Sequence, residues 1–251
     1  MDLFSLNNRC ALVTGASKGL GAAMAVALAE AGADLVLVSR GDQQATAARV
    51  RSAGRQCRTL ACDLSERSQT HALLKELEGF DRYPDILVNN AGTIRRHDLA
   101  EFPEADWDSV LELNLTSLFL LSQGMARRWM ADRTAGRIIN IASMLSFQGG
   151  IRVPSYTATK TALVGLTRLL ANELAPHGIG VNAIAPGYME TDNTAPLRSD
   201  PQRNKEILGR IPTGRWGQPD DLAGAVIFLA SPAAAYVNGI TLPVDGGWLA
   251  R

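Results

Sequence analysis

The chain has 251 residues, with 25 Lys plus Arg balanced by 25 Asp plus Glu for a formal net charge of zero, so it can bury a large core but exerts no general pull on nucleic acid or an anionic membrane. Its three cysteines (Cys10, Cys57, Cys62) contain no Cys-x2-Cys pair and its three histidines (His71, His97, His177) lie far apart, which argues against a disulfide framework or a structural zinc site. No cationic apolar leader and no apolar run of membrane length is visible, so the expectation is a cytoplasmic protein with no metal, no nucleic-acid partner and no membrane partner.

Short apolar runs bounded by Gly, Asp, Asn or Pro alternate with longer amphipathic stretches. In chain order the runs at 11–14, 35–39, 58–61, 86–89, 137–141, 181–184 and 240–244 read as strands buried on both faces. Residues 21–31, 106–129 and 156–175 read as helices, the last with Ala162, Leu163, Leu166, Leu169 and Leu170 on one stripe. Such alternation predicts an α/β fold: one doubly wound parallel sheet with helices on both faces, residues 1–251 forming a single domain. Residues 185–215 break the rhythm and carry Pro186, Gly187, Pro196, Pro201 and Pro212. They predict a substrate lobe at about 187–215, above the carboxyl ends of the strands, where ligands of open α/β sheets bind.

The first run leads into Thr14, Gly15, Ala16, Ser17, Lys18, Gly19, Leu20 and Gly21, and then into a helix. Glycines let a backbone approach a pyrophosphate, and a helix start offers unpaired N–H groups, so strand, glycine turn and helix together predict a dinucleotide site. The second run ends on Ser39 followed by Arg40, where an NAD site usually carries Asp or Glu for the ribose hydroxyls. Arg40 can instead pair with a 2′-phosphate, and Lys18 can add a second positive charge, so NADP(H) is favoured and NAD(H) remains open. Ser143 follows the fifth run, and Tyr156 and Lys160 follow it with the i, i+4 spacing that puts two side chains on one helix face. A nearby ammonium is expected to favour phenolate and lower the tyrosine pKa, while a serine hydroxyl can hold a substrate oxygen. These are parts for moving a proton at a carbonyl or alcohol oxygen while hydride moves.

The Gly-x3-Gly-x-Gly spacing of Gly15, Gly19 and Gly21 resembles the short-chain dehydrogenase/reductase family. So do Asp63-Leu64, Asn89-Asn90-Ala91-Gly92, Ser143 with Tyr156-Thr157-Ala158-Thr159-Lys160, and Pro186-Gly187, in that order from about Leu6 to the C-terminus. The resemblance implies a Rossmann-type domain and an enzyme acting on a CH–OH group. It also implies that Asp63 and Leu64 meet the adenine, that Asn90, Ala91 and Gly92 support the adenosine, and that Pro186, Gly187, Met189 and Thr191 approach the nicotinamide. Asn114 matches the family's asparagine, which holds a water in a proton relay to the lysine, so Asn114, Ser143, Tyr156 and Lys160 form the expected catalytic set. A homotetramer pairing the helices at 106–129 and 156–175 is also implied.

Within that family, residues 141–156, 90–96, 185–189, 215–217 and 244–251 resemble the branch of 2-dehydro-3-deoxy-D-gluconate 5-dehydrogenases and related deoxygluconate dehydrogenases. Members of that branch often favour NAD, which the Ser39-Arg40 pair and Lys18 do not match. A keto or hydroxy sugar acid needs a cation for its carboxylate and side chains for its hydroxyls. Arg95, Arg96 and Arg152 are the cationic candidates, Arg152 preferred for its nearness in sequence to Ser143 and Tyr156; Gln148, Tyr188 and Asn193 are the hydroxyl readers. Trp216 and Trp248 read as packing anchors. Two alternatives stand: a 3-oxoacyl-acyl-carrier-protein reductase, which would want a basic docking patch, and a dinucleotide-binding regulator, which should have lost part of the catalytic set.

Overall fold

The computed structural model describes residues 3–251. Seven parallel strands form one sheet in the order β3-β2-β1-β4-β5-β6-β7: β1 Cys10–Thr14, β2 Asp34–Ser39, β3 Cys57–Ala61, β4 Ile86–Asn89, β5 Gly136–Ile141, β6 Ile179–Pro186 and β7 Thr241–Val244. Alternate side chains leave each strand on opposite faces and build two cores. Ala11, Val13, Leu35, Leu37, Ile86 and Val88 pack with helices α1 (Gly19–Glu30), α2 (Gln44–Ser52) and α9 (Ala223–Ala230). Leu12, Val36, Val38, Leu87, Ile138 and Val181 pack with α3 (Arg67–Glu78), α5 (Ser117–Asp132) and α6 (Pro154–Leu174). This is the doubly wound, Rossmann-type sheet expected from the alternation of runs.

Three differences matter. The outer strands are not buried on both faces: β3 and β7 have mostly half-exposed residues, because each sits at a sheet edge with a single neighbour. The helix expected over 106–129 is instead α4 (Glu104–Leu111), a π-helical segment Glu112–Thr116, and then α5. The wide turn carries Asn114, fully buried, and such turns commonly mark functional sites. Helices α2 and α3, which are not among the stretches read as helices from the sequence, each bury three residues on one side of a largely polar segment.

Helix α1 is the opposite case, buried continuously from Gly21 to Ala29, as a helix apolar on every side must be. The excursion after β6 holds a 3-10 turn Asp192–Thr194, α7 (Ala195–Ser199) and α8 (Pro201–Arg210). Its neck is closed by main-chain bonds: Glu190 N–H donates to Gly217 O (2.7 Å) and Gly217 N–H to Tyr188 O (2.9 Å). A small separate core of Met144, Ile207, Ile211, Trp216 and Trp248 holds the excursion down.

Candidate active site

The strand order reverses direction at β1, which pairs with β2 on one side and β4 on the other. At the carboxyl ends of these strands the chain opens a cavity of about 780 Å³, within the range for a cofactor or substrate cleft. One end of it is stitched by Thr14 and Asn90. The Thr14 hydroxyl accepts from the main-chain N–H groups of Asn90 and Ala91 (2.9 Å each), and Asn90 Nδ2 donates to Thr14 O at 2.9 Å.

The glycine turn lies against this stitch. Gly15 takes φ +65°, and a Cβ there would stand 2.9 Å from Asn90 Nδ2. A Cβ at Gly21 would stand 2.3 Å from Gly15 O, so only glycine lets the start of α1 pack on the turn. The first turn of α1 carries no acidic residue, so no carboxylate of the helix itself competes for its free N–H groups. This cradle, which a side chain would fill, fits a pyrophosphate.

Every position expected to meet a dinucleotide lines the cavity, from Gly15, Ser17, Lys18, Gly19, Leu20 and Gly21, through Ser39, Arg40, Asp63, Leu64, Asn90, Ala91 and Gly92, to Tyr156, Lys160, Pro186, Gly187, Met189 and Thr191. The end of β2 carries no carboxylate: Ser39 is buried, and its hydroxyl donates to Gly41 O at 3.0 Å. Arg40 is largely exposed, 3.4 Å from Asp63 Oδ2, and Lys18 Nζ lies 2.5 Å from Asp192 Oδ2. Asp192 and Glu190, which also line the cavity, had no signal in sequence; only the fold of the lobe brings them back to the glycine turn.

Ser143, Tyr156 and Lys160 converge at the other end of the cavity. Ser143 follows β5 and caps a 3-10 turn, Met144–Ser146, by accepting from Leu145 N–H (3.1 Å). That turn is bolted to α6, since the Ser146 hydroxyl donates to Lys160 O (2.6 Å) and the Thr161 hydroxyl to Leu145 O (3.2 Å). Lys160 is buried, its Nζ 2.5 Å from Ile141 O and 5.6 Å from the Tyr156 ring centroid.

Burial pushes the Lys160 ammonium down to about 8. Burial also pushes the Tyr156 phenol above its ordinary value, against the opposing pull of its hydrogen bond with Ser143 and of the Arg96 charge. This corrects the expectation that the lysine lowers the tyrosine: loss of water disfavours phenolate, while the ammonium is turned toward the β5 carbonyl.

Asn114 does not line the cavity. Its Nδ2 donates to Thr93 O (2.9 Å) and its Oδ1 accepts from Thr93 N–H (2.8 Å), so its side chain fixes the loop after β4.

Of the substrate candidates, Ser143, Tyr156 and Asn193 line the cavity. Arg152 is turned away: it sits at φ +64° in an ion pair with Asp98 (3.0 Å), which corrects the preference for it. Arg95 pairs with Asp106 (3.2 Å), which His97 also approaches at 2.6 Å. Arg96 makes a single hydrogen bond among the described residues, to the main-chain carbonyl of Asn193 (3.0 Å), and its charge reaches both Tyr156 and Tyr188. Gln148 Oε1 accepts from Trp248 Nε1 and Arg210 Nη2, at 3.2 Å each, so it supports the lobe instead of pointing to the cavity. Tyr188 packs edge-on against Trp216 and Trp248, both buried anchors as expected.

A family profile described as Enoyl-(Acyl carrier protein) reductase matches residues 15–249. The 2-dehydro-3-deoxy-D-gluconate 5-dehydrogenase of Dickeya dadantii is 56% identical over 251 residues, covering 100% of this chain and 99% of that protein. The 5-keto-D-gluconate 5-reductase of Escherichia coli strain K12 is 40% identical, covering 99% of this chain and 98% of that protein. Among solved structures, a gluconate 5-dehydrogenase from Burkholderia cenocepacia in complex with NADP and tartrate superposes with a TM-score of 0.94 at 40% identity, over 100% of this chain and 98% of that one.

Proposed function

The chain belongs to the short-chain dehydrogenase/reductase family, and from that membership we propose that it is an NADP(H)-preferring oxidoreductase of a keto/hydroxy sugar acid such as 2-dehydro-3-deoxy-D-gluconate or a gluconate. The observation that carries this reading is the meeting of Ser143, Tyr156 and Lys160 at one end of a cavity whose other end is the glycine cradle. NAD(P)-dependent chemistry on a CH–OH group follows from the family. Sugar-acid substrates follow from full-length relatives at 56% and 40% identity, and from a neighbour solved with NADP and tartrate, a hydroxy acid. When bound, the nicotinamide supplies or accepts the hydride. Tyr156 gives or takes the proton at the substrate oxygen, the Ser143 hydroxyl holds that oxygen, and Lys160 stands behind the tyrosine as the nearest buried cation. Arg96, from the loop after β4, is the group we assign to the carboxylate.

The decisive experiment is a dehydrogenase assay across sugar acids with both cofactors. Turnover of a six-carbon keto acid with NADPH is the expected result. Turnover of acyl thioesters and of no sugar acid would establish the acyl-carrier reading instead, and no turnover of any carbonyl compound would establish a regulator.

The buried lysine has a consequence for pH. A lysine lowered to about 8 is protonated below that value and loses its charge as pH rises through it. Reductive kcat/KM, which reports groups on the free enzyme, is therefore expected to decline from about pH 8. A profile flat to pH 10 would refute the role of the ammonium.

We further propose a cytoplasmic homotetramer. Trp107 on α4, Phe119 and Met130 on α5 and Leu169 on α6 are large apolar side chains left exposed, which suits pairing of these helices. Closed assembly of four chains needs a second patch, and the edge strand β7 with exposed Tyr236 and Ile240 beside it supplies one. Light scattering is expected to give the mass of four chains; the mass of one chain in dilute buffer overturns the proposal.

A further inference from the structure

The glycine turn and the lobe are joined across the mouth of the cavity by the ion pair of Lys18 and Asp192, two residues that come from opposite walls and both line the opening. Both side chains are 76% exposed, so the pair stands in the entrance and not in the core. The residue before Lys18 lies at the ribose corner: a Cβ on Gly41 would lie 3.9 Å from the hydroxyl of Ser17, which puts the glycine turn against the Ser39-Arg40-Gly41 corner. The second cation of that corner, Arg40, also has a carboxylate partner, but the two pairs differ. Asp63 is held in its own turn by the Ser65 hydroxyl (2.6 Å) and the Ser65 N–H (3.0 Å), and its contact with Arg40 is long at 3.4 Å. Asp192 opens the Asp192–Thr194 turn of the lobe, and its carboxylate meets Lys18.

We propose that Asp192 is a specificity-determining residue that competes with the ribose 2′-phosphate of the cofactor for Lys18. A phosphate arriving at the corner takes the ammonium from Asp192, because a charge-assisted contact to a doubly charged group outcompetes one to a single carboxylate. Asp192 then loses its cation, and the cost of breaking the pair is subtracted from the binding of the phosphorylated cofactor. A cofactor without the 2′-phosphate leaves the Lys18 and Asp192 pair in place. Asp192 thus narrows the preference that Arg40 and Lys18 create, and the next residue carries the exchange further: Asn193 O is the hydrogen-bond partner of Arg96, so the same lobe segment is tied to the cofactor lysine and to the arginine assigned to substrate. The inference rests on the NADP(H) reading above.

The test is direct titration of the full-length protein with NADPH and with NADH, for the native chain, Asp192→Asn, Lys18→Met and the double variant. Asp192→Asn is expected to tighten NADPH by roughly 2- to 5-fold, the scale of an exposed ion pair, with NADH changed by less than about 1.5-fold. The gain is expected to shrink at high ionic strength and to vanish in the Lys18→Met background. Unchanged NADPH affinity, equal tightening of both cofactors through a loosened lobe, or a gain that persists without Lys18 would each overturn the proposal. Tighter binding of NADH than of NADPH by the native chain would refute the cofactor preference instead, and the effect of Asp192→Asn on NADPH would still decide the competition.

Discussion

Replacing Tyr156 by Phe is expected to lower kcat by roughly 100-fold or more while changing cofactor affinity by no more than a few-fold. The substitution keeps the aromatic ring on the wall of the cavity and deletes only the hydroxyl, the atom that meets Ser143. That hydroxyl is the only phenol at this end of the cavity among the described residues. Burial holds the phenol above its ordinary pKa, so it is kept in the proton-bearing form, suited to donating a proton to a carbonyl oxygen as hydride arrives. In the reverse direction the same burial must be offset by the Ser143 hydrogen bond and the Arg96 charge, and raised pH favours alcohol oxidation because that direction releases a proton. The measurement is steady-state kcat with a sugar acid beside the NADPH dissociation constant from fluorescence. A near-native kcat would overturn the assignment of Tyr156; loss of both quantities together would mean that the variant had damaged the cavity, and Ser143→Ala, which leaves the ring and its hydroxyl in place, is then expected to reproduce the loss in kcat alone.

Arg96→Ala is expected to lower kcat/KM for a sugar acid by roughly 10- to 100-fold, mostly through KM, the worth of a hydrogen bond between charged groups in a partly closed site. Two of the three arginines on the rim are engaged by carboxylates, Arg95 by Asp106 and Arg152 by Asp98. Arg96 has only a main-chain carbonyl, so a substrate carboxylate meets a guanidinium that no protein acid neutralises among the described residues. Its charge acts on Tyr156, the residue on which the substrate oxygen is expected to lie. The native protein is expected to prefer a free acid to its methyl ester by a wide margin, and Arg96→Ala to abolish most of that preference, because a neutral substrate leaves the guanidinium without a partner. Arg152→Ala is the control and is expected to keep the discrimination. Equal rates for acid and ester in the native protein would show that no carboxylate pocket exists.

The parts of the site that were legible in the chain are those whose geometry is local. Gly15, Gly19 and Gly21 lie within seven residues, between a strand and a helix; the positive φ of Gly15 and Gly19 and the approach of Gly21 to Gly15 O belong to that short turn, whereas the closeness of Gly15 to Asn90 comes from the fold. Tyr156 and Lys160 share a face because helical periodicity makes them neighbours whatever surrounds the helix. The sheet was legible for a similar reason: strands buried on both faces are nearly all apolar, and the inner five are. Even here locality had limits. The runs of β3 and β7 read as buried on both faces, although Pro243 in β7, which has no N–H to give a ladder, and Arg58 in β3 are edge signals.

Composition, the order of the strands and helices, the glycine turn, the neutral end of β2 and the Tyr156-Lys160 spacing were determined by sequence alone, since each depends on residues a few positions apart. Tertiary structure decided everything that depends on which distant group stands opposite. It took Arg152 into an ion pair with Asp98 and tied Arg96 to the Asn193 carbonyl, partners that nearness in sequence does not indicate. It locked Asn114 onto Thr93, brought Asp192 across 174 positions to Lys18, and set the Tyr156 phenol and the Lys160 ammonium by burial instead of by their mutual charge. The physical reason is common to all of these: an ionisable side chain acquires its role from the charges, hydrogen bonds and water around it, and in a folded chain those are supplied by the packing of segments far apart in sequence.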